Sequence, residues 1–170
     1  MVEKWLDRII GHEGGFTDDP ADRGNWTSGI IGKGKLKGTK YGISAMSYPE
    51  MDIQKLTRRD AAIIYKRDYL DRIGAQNFRP AIAFQLLDAA VNSGVRRALL
   101  LLQQAIGVSP DGIIGPVTRA RLIAMDEADV IMRFLAERLD FIVQIKTYPI
   151  YGKGWTARIA DNLRYAADDT

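Results

Sequence analysis

Residues 9–49 read IIGHEGGFTDDPADRGNWTSGIIGKGKLKGTKYGISAMSYP, and the interpretation of this stretch decides the fold. Just before and into it, Trp5, Leu6, Ile9 and Ile10 recur at helical spacing between Glu3, Lys4, Asp7 and Arg8, the pattern of a short amphipathic helix with one buried face. Gly14 and Gly15 stop that helix, so Glu13 is expected in its last turn. An anion is disfavoured there, because the helix macrodipole places partial negative charge at the C-terminus and any burial raises a carboxyl pKa further. A carboxyl group that keeps its proton near neutral pH can serve as a general acid. The plainer reading of a glutamate before two glycines is a solvated residue beside a turn.

The chain beyond Glu13 favours the first reading. The run from Phe16 to Gly29 holds Asp18, Asp19, Pro20, Asp22, Arg23, Gly24, Asn25, Trp26, Thr27 and Ser28, too rich in turn formers for a helix and too long for a simple connector. From Gly32 to Ile43, alternation and repeated glycines predict a small twisted β ribbon rather than a core sheet. A helix ending in an acid, an acidic loop and a ribbon together would make one wall of a cleft.

His12 to Phe16, Asp19 to Gly24, Thr27 and Thr39 to Ser44 resemble, in order, the N-terminal signature of glycoside hydrolase family 108, the phage-type N-acetylmuramidases of the wider lysozyme-like group. Asp88 to Gly94 resembles the family's second cleft segment, and Val95 to Leu163 resembles the peptidoglycan-associated segment next to it. The resemblance implies a mainly α, lysozyme-like α+β fold with a small ribbon near the N-terminus and a helical C-terminal half. It divides the chain into a muramidase catalytic segment, 1–94, and a helical peptidoglycan-binding-like segment, 95–170, packed into one domain. The implied activity is hydrolysis of the β-1,4 bond between N-acetylmuramic acid and N-acetylglucosamine in bacterial peptidoglycan, as by a phage endolysin, with Glu13 as general acid.

Such a hydrolase needs a second group opposite the acid to activate water or stabilise an oxocarbenium-like transition state. Among Asp18, Asp19 and Asp22, Asp22 fits best, because the chain from Glu13 to Asp22 includes a proline and can fold back across a cleft. The resemblance points to the same residue. Thr27 is placed to hydrogen-bond the water or Asp22, with a backbone bond as the competing use of its hydroxyl. Tyr41, first by the motif, then Trp26 and Tyr48 offer apolar faces to sugar rings, core packing being the alternative for the last two. Asp88 and Asn92 lie four apart on one helical face; the resemblance assigns Asn92 to the cleft and leaves Asp88 a structural role.

Composition narrows the alternatives. At 170 residues, 46% hydrophobic and 26% charged, the chain has enough apolar content for one domain with a real core. With no cysteine there is neither a disulfide nor a thiol nucleophile, and one histidine, His12, makes neither a His-rich zinc site nor, lacking a Gly-x-Ser-x-Gly serine, a hydrolase triad. Asp18, Asp19 and Asp22 lack the spacing of a calcium loop, so no metal and no cofactor is expected. Residues 29–36 nearly match a phosphate-binding loop, but Leu36 stands where a magnesium-binding hydroxyl is needed. The net charge is +3, with Lys33, Lys35, Lys37 and Lys40 clustered in the ribbon. Without interleaved aromatics they read as a solvated ribbon first, an anionic wall polymer second and nucleic acid last.

Charges at Glu3, Lys4, Asp7 and Arg8 interrupt any apolar run near the start, so no secretory signal peptide is expected, and the run Ala98 to Leu102 is far short of the roughly 20 residues a bilayer requires. The expected protein is therefore a monomer made in the host cytoplasm, with peptidoglycan as partner, no nucleic acid and no stable membrane insertion; it reaches the wall after release by another factor. A lytic transglycosylase and a non-catalytic wall-binding or secretion-assisting protein, the latter using Asp111 to Thr118, are the rival readings.

Downstream, Thr57 with Asp60 predicts a helix cap before Arg58 to Asp71, with Ile63, Ile64 and Leu70 in the core. Pro80 opens an apolar helix through Asn92, Gly107 ends the next, and Pro116 opens another toward Met125. A long helix from Asp129 to Lys146 places Val130, Ile131, Phe134, Leu135, Leu139, Ile142 and Val143 at core spacing, and a final helix is expected from Trp155 to Ala167.

Overall fold

Helical periodicity dominates the sequence, and helices dominate the structure, a computed structural model that describes residues 2–10 and 15–170. The expected fold class is found: mainly α, with one two-stranded antiparallel ribbon. The chain forms two compact units, Met1–Arg67 and Asp68–Thr170. Among the described residues no helix is long and apolar enough to cross a membrane.

In the first unit, α1 (Val2–Ile10) buries Trp5, Leu6 and Ile9, the stripe its spacing predicts. The expectation that Glu13 closes this helix falls on residues outside those described. The ribbon is shorter than its sequence suggests. Strands β1 (Thr39–Lys40) and β2 (Ile43–Ser44) pair Thr39 with Ser44 and Lys40 with Ile43. Single bridges join Thr17 to Thr39 and Trp26 to Leu36. Tyr41 and Gly42, at φ 53° and 75°, make the two-residue turn with both backbone angles positive that suits strand twist. Tyr41 is strained there by about 1–2 kcal/mol, and the Tyr65 hydroxyl donates to its carbonyl at 3.0 Å. A Cβ at Gly42 would lie 2.5 Å from that same hydroxyl oxygen, so only glycine fits.

The long loop before the ribbon closes around Asn25, whose residue is 0% exposed. Its Nδ2 donates to the Asp19 carbonyl at 3.0 Å, and its Oδ1 accepts the Thr39 hydroxyl at 2.7 Å. Its carbonyl accepts Lys37 N–H and Gly38 N–H at 3.0 and 3.1 Å, and its own N–H reaches Asp22 O at 3.1 Å. One buried amide thus joins the loop's start, its short 3-10 turn (Arg23–Asn25) and the ribbon. Lys37 and Lys40 do not form a free charge patch. The ammonium of Lys37 donates to Pro49 O at 2.6 Å and that of Lys40 to Gln54 O at 2.8 Å, tying the ribbon to residues 49–54.

Helix α2 (Arg58–Tyr65) starts with the expected box: Asp60 N–H donates to Thr57 Oγ1, and Thr57 N–H donates to Asp60 Oδ2. Asp7 pairs with Arg58. Ile63 is a correction: it is 56% exposed, because the buried face runs through Ala61, Ile64 and Tyr65. Lys66–Leu70 widens into a π turn and leads to α3 (Asp71–Ile73), where Leu70 and Ile73 are buried.

The second unit is built on α4 (Pro80–Ser93), every residue of which from Ala81 to Ala90 is buried. Around it lie α5 (Val95–Ala105), α7 (Glu127–Val143) and α8 (Tyr148–Asp169), while α6 (Pro116–Ala124) comes after the α5 loop. Leu139 is half-buried and Val143 is exposed, so the α7 stripe is narrower than its periodicity. Helix α8 begins at Tyr148 rather than Trp155. The Tyr148 ring lies over Gly152, where a Cβ would approach it to 2.6 Å.

Asp88 takes the structural role. Its Oδ2 accepts Arg138 Nη2 at 2.8 Å and Asn162 Nδ2 at 2.6 Å; its Oδ1 accepts Arg158 Nε at 2.8 Å. These bonds join α4, α7 and α8. Burial alone would push the Asp88 carboxyl up, but Arg138 and Arg158 outweigh it and hold the group below the usual carboxylate range. A depressed folded pKa contributes stability that is present above the unfolded value of about 3.9 and is lost as pH falls through the folded pKa.

Two stability measurements check these supports. Asp88→Asn leaves two arginines without their counter-charge and should cost about 3–5 kcal/mol in denaturant unfolding near neutral pH. The gap to the parent should narrow below about pH 4; a constant gap would contradict the assignment. Asn25→Ala orphans the Asp19 carbonyl and the Thr39 hydroxyl and should cost about 1–3 kcal/mol. An unchanged thermal midpoint would remove Asn25 from its place at the centre of the loop.

Candidate functional site

Five of the residues nominated from sequence lie on the loop and ribbon of the first unit, and backbone hydrogen bonds fix where each one stands. Glu13 and His12 lie outside the described residues. Asp22 caps the Arg23–Asn25 turn, its Oδ1 accepting Gly24 N–H at 2.8 Å. Its second carboxylate oxygen has no protein partner among the described residues, and the side chain is exposed. One oxygen is anchored and the other open, an arrangement that holds a carboxylate still while leaving a lone pair to accept a proton. Asp19 is used differently: its Oδ1 accepts Ala21 N–H at 2.9 Å within the turn.

Thr27 bonds to backbone, the competing use of its hydroxyl. Thr27 Oγ1 accepts Lys35 N–H at 2.9 Å, and Thr27 N–H donates to Lys35 O at 2.9 Å. A Cβ at Gly34 would sit 2.6 Å from that hydroxyl oxygen. The Thr27 hydroxyl hydrogen is still able to donate. Trp26 Nε1 donates to Pro20 O at 2.9 Å, so the indole braces the turn that carries Asp22. Tyr41 is half-buried, with the Lys40 ammonium 5.4 Å from its ring centre. Tyr48 is half-buried, and its backbone caps the turn after β2 through Ser44 O and Met51 N. Asn92 stands half-buried in the last turn of α4, in the second unit.

A cleft of about 360 Å³ opens in the first unit between Phe16, Asp18, the ribbon residues Leu36 and Lys37, and Glu50, Asp52, Ile53 and Gln54. Of the acids weighed from sequence Asp18 lines it, whereas Asp22, Trp26, Thr27, Tyr41, Tyr48 and Asn92 do not. Phe16 and Leu36 give it apolar faces, while Asp18, Glu50 and Asp52 give it hydrogen-bond acceptors. That mixture suits a sugar, whose C–H faces pack on apolar surface and whose hydroxyls donate. The Asp52 carboxyl is held below its usual range chiefly by a hydrogen bond from Lys55. Glu50 and Asp52 carry no local pattern in sequence; only the lysine ties to residues 49–54 bring them against the ribbon. Among the described residues, no group of three or more His, Cys, Asp and Glu converges as metal ligands.

In the second unit, the segment Asp111 to Thr118 spends its polar groups on internal hydrogen bonds. The buried Gln103 donates through Nε2 to Asp111 Oδ1 at 2.7 Å, Ile113 O at 3.0 Å and Thr118 Oγ1 at 3.3 Å. Its Oε1 accepts Gly112 N–H at 2.7 Å. The hydrogen bonds that Asp111 accepts from the Gln103 amide and from Ile113 N–H hold its carboxyl below the usual carboxylate range. These side chains shape a turn.

The architecture recurs in a known protein. The structure of Brucella abortus SagA superposes with a TM-score of 0.81 at 27% identity, over 99% of this chain and 94% of that one. No curated protein matches the chain. Residues 6–94, more than half of the chain, match the family model of glycosyl hydrolase 108. The protein belongs to glycosyl hydrolase family 108.

Proposed function

We propose that this family 108 glycoside hydrolase is an N-acetylmuramidase that cleaves the β-1,4 bond between N-acetylmuramic acid and N-acetylglucosamine in bacterial peptidoglycan, as an endolysin does. The observation that carries the reading is the family match itself, because residues 6–94 take in the whole stretch from Glu13 to Tyr48.

In this reading Glu13 gives its proton to the glycosidic oxygen as the C1–O bond breaks. Asp22 acts from the opposite face. Its anchored carboxylate, with one oxygen open, is suited to take a proton from the water whose oxygen bonds to C1. A separation of roughly 6.5–9.5 Å between the two carboxyl groups goes with that water and inversion; roughly 5–5.5 Å goes with a covalent intermediate and retention. Thr27 donates its remaining hydroxyl hydrogen to the water or to Asp22. Tyr41, Trp26, Tyr48 and Asn92 contact the sugars, and the cleft beside Phe16 and Asp52 takes a neighbouring sugar of the strand.

A wall-lysis assay on purified peptidoglycan tests the assignment. Glu13→Gln, nearly isosteric and unable to donate an acidic proton, should lower the rate by about 10²–10⁴-fold with an unchanged melting temperature. Asp22→Asn should lower it by at least about 10²-fold. Lysis equal to the parent's by Glu13→Gln would remove that residue from the mechanism.

A further inference from the structure

The second unit carries a pocket that the hydrolase chemistry does not use. About 290 Å³ in volume, it lies where the chain from Asn77 to Ile82 meets α6, and its walls are Phe78, Ile82, Leu122 and Ile123. Two arginines, Arg79 and Arg119, line the same space.

Both guanidiniums are tethered by main-chain carbonyls. Arg79 Nη2 donates to Leu122 O at 3.1 Å and Met125 O at 2.9 Å, satisfying the end of α6. Arg119 Nε donates to Ile114 O at 3.2 Å, and its Nη1 lies a long 3.5 Å from Asn77 Oδ1. Neither arginine has a carboxylate within ion-pair distance among the described residues. Of the other arginines in this unit, Arg133 pairs with Asp129, Arg164 with Asp161, and Arg138 and Arg158 with Asp88, while Arg121 donates to Ile106 O and Arg97 lies over the Phe141 ring. Arg79 and Arg119 are set apart by lining one pocket together. Two held cations without counter-charge, beside four apolar side chains, complement a small ligand with an anionic end and an apolar body. The planar guanidinium fork matches a carboxylate in particular.

We infer that this pocket binds the terminal carboxylate of a short peptide of small apolar residues, with guanidinium donors on the carboxylate and the methyl groups against Phe78, Leu122 and Ile123. Under the wall-hydrolase reading, on which the choice of source rests, the donor of that group is the peptide stem of peptidoglycan. Its ends carry alanine methyls and a free carboxylate, so the second unit would hold the stem while the first acts on the glycan.

The test is an NMR amide-shift titration of the full chain with acetyl-D-alanyl-D-alanine and, separately, with its C-terminal amide. The free acid should bind about ten-fold more tightly than the amide, with shifts centred on residues 77–82 and 119–123. Arg119→Gln should abolish the preference. Ile123, 84% exposed, tolerates change without loss of packing, so Ile123→Glu should weaken the acid by a similar factor while the melting temperature stays put. Equal binding of acid and amide, or shifts elsewhere, would overturn the inference. Binding is read without cleavage: a protein that lyses wall but ignores the peptide refutes the pocket alone, and one that binds the peptide but does not lyse wall refutes the hydrolase reading alone.

Discussion

A long polar loop cannot hold a carboxylate in place unless something inside it is buried and satisfied. In the first unit that is Asn25. Its amide and backbone reach the Asp19 carbonyl, the Thr39 hydroxyl and two ribbon N–H groups at once. An unsatisfied buried amide is costly, so the bonds form together or not at all, and the loop gains one conformation from that condition. Asp22, three residues before Asn25, is held by the same turn, and Trp26, one residue after it, locks Pro20. The ribbon is fixed independently by Tyr65, whose hydroxyl sits where a side chain at position 42 would go.

The second unit rests on the reverse situation, a buried charge. Asp88 lies on a helix with almost no exposed residue, and only two arginines and an asparagine from other helices make its ionised form tolerable. Such a cluster adds little to stability compared with apolar packing of similar volume, but it penalises any arrangement of α4, α7 and α8 that separates its members. Gln103, itself neutral, does the same for the α5–α6 loop through the Asp111 carboxylate, Ile113 O, the Thr118 hydroxyl and Gly112 N–H. The Asp111 to Thr118 segment, the binding element of the wall-binding reading, is thereby the framework of a turn, next in sequence to Arg119 of the pocket.

Features whose cause is local were legible in the sequence. The Thr57–Asp60 box, Pro80 and Pro116 at helix starts and the break after Ile106 all act within a few residues. Asp88 took its structural role only by way of the family resemblance, because a polar residue on an apolar helix can equally face a cleft. Long-range causes were not legible. Asn25 looks like one more turn former among Asp19, Asp22 and Gly24. Tyr41 at positive φ gives no warning, unlike an Asn-Gly turn, because the stabilising hydroxyl comes from Tyr65. The start of α8 at Tyr148 is hidden in the sequence, because only the structure shows the Tyr148 ring covering Gly152. Ile63 and Val143 satisfy helical periodicity yet face outward, since a period marks a stripe but not its width. Lys37 and Lys40 read as a charge patch because sequence does not show the carbonyls they reach.

The claim on which the functional account turns is that water, not an internal hydroxyl of the sugar, completes the cleavage. Mass spectrometry of the ends released from purified peptidoglycan measures this directly. Digestion in ¹⁸O-labelled water should give reducing N-acetylmuramic acid ends carrying the label. Unlabelled anhydro ends would contradict hydrolysis, and reducing N-acetylglucosamine ends would contradict the bond assigned.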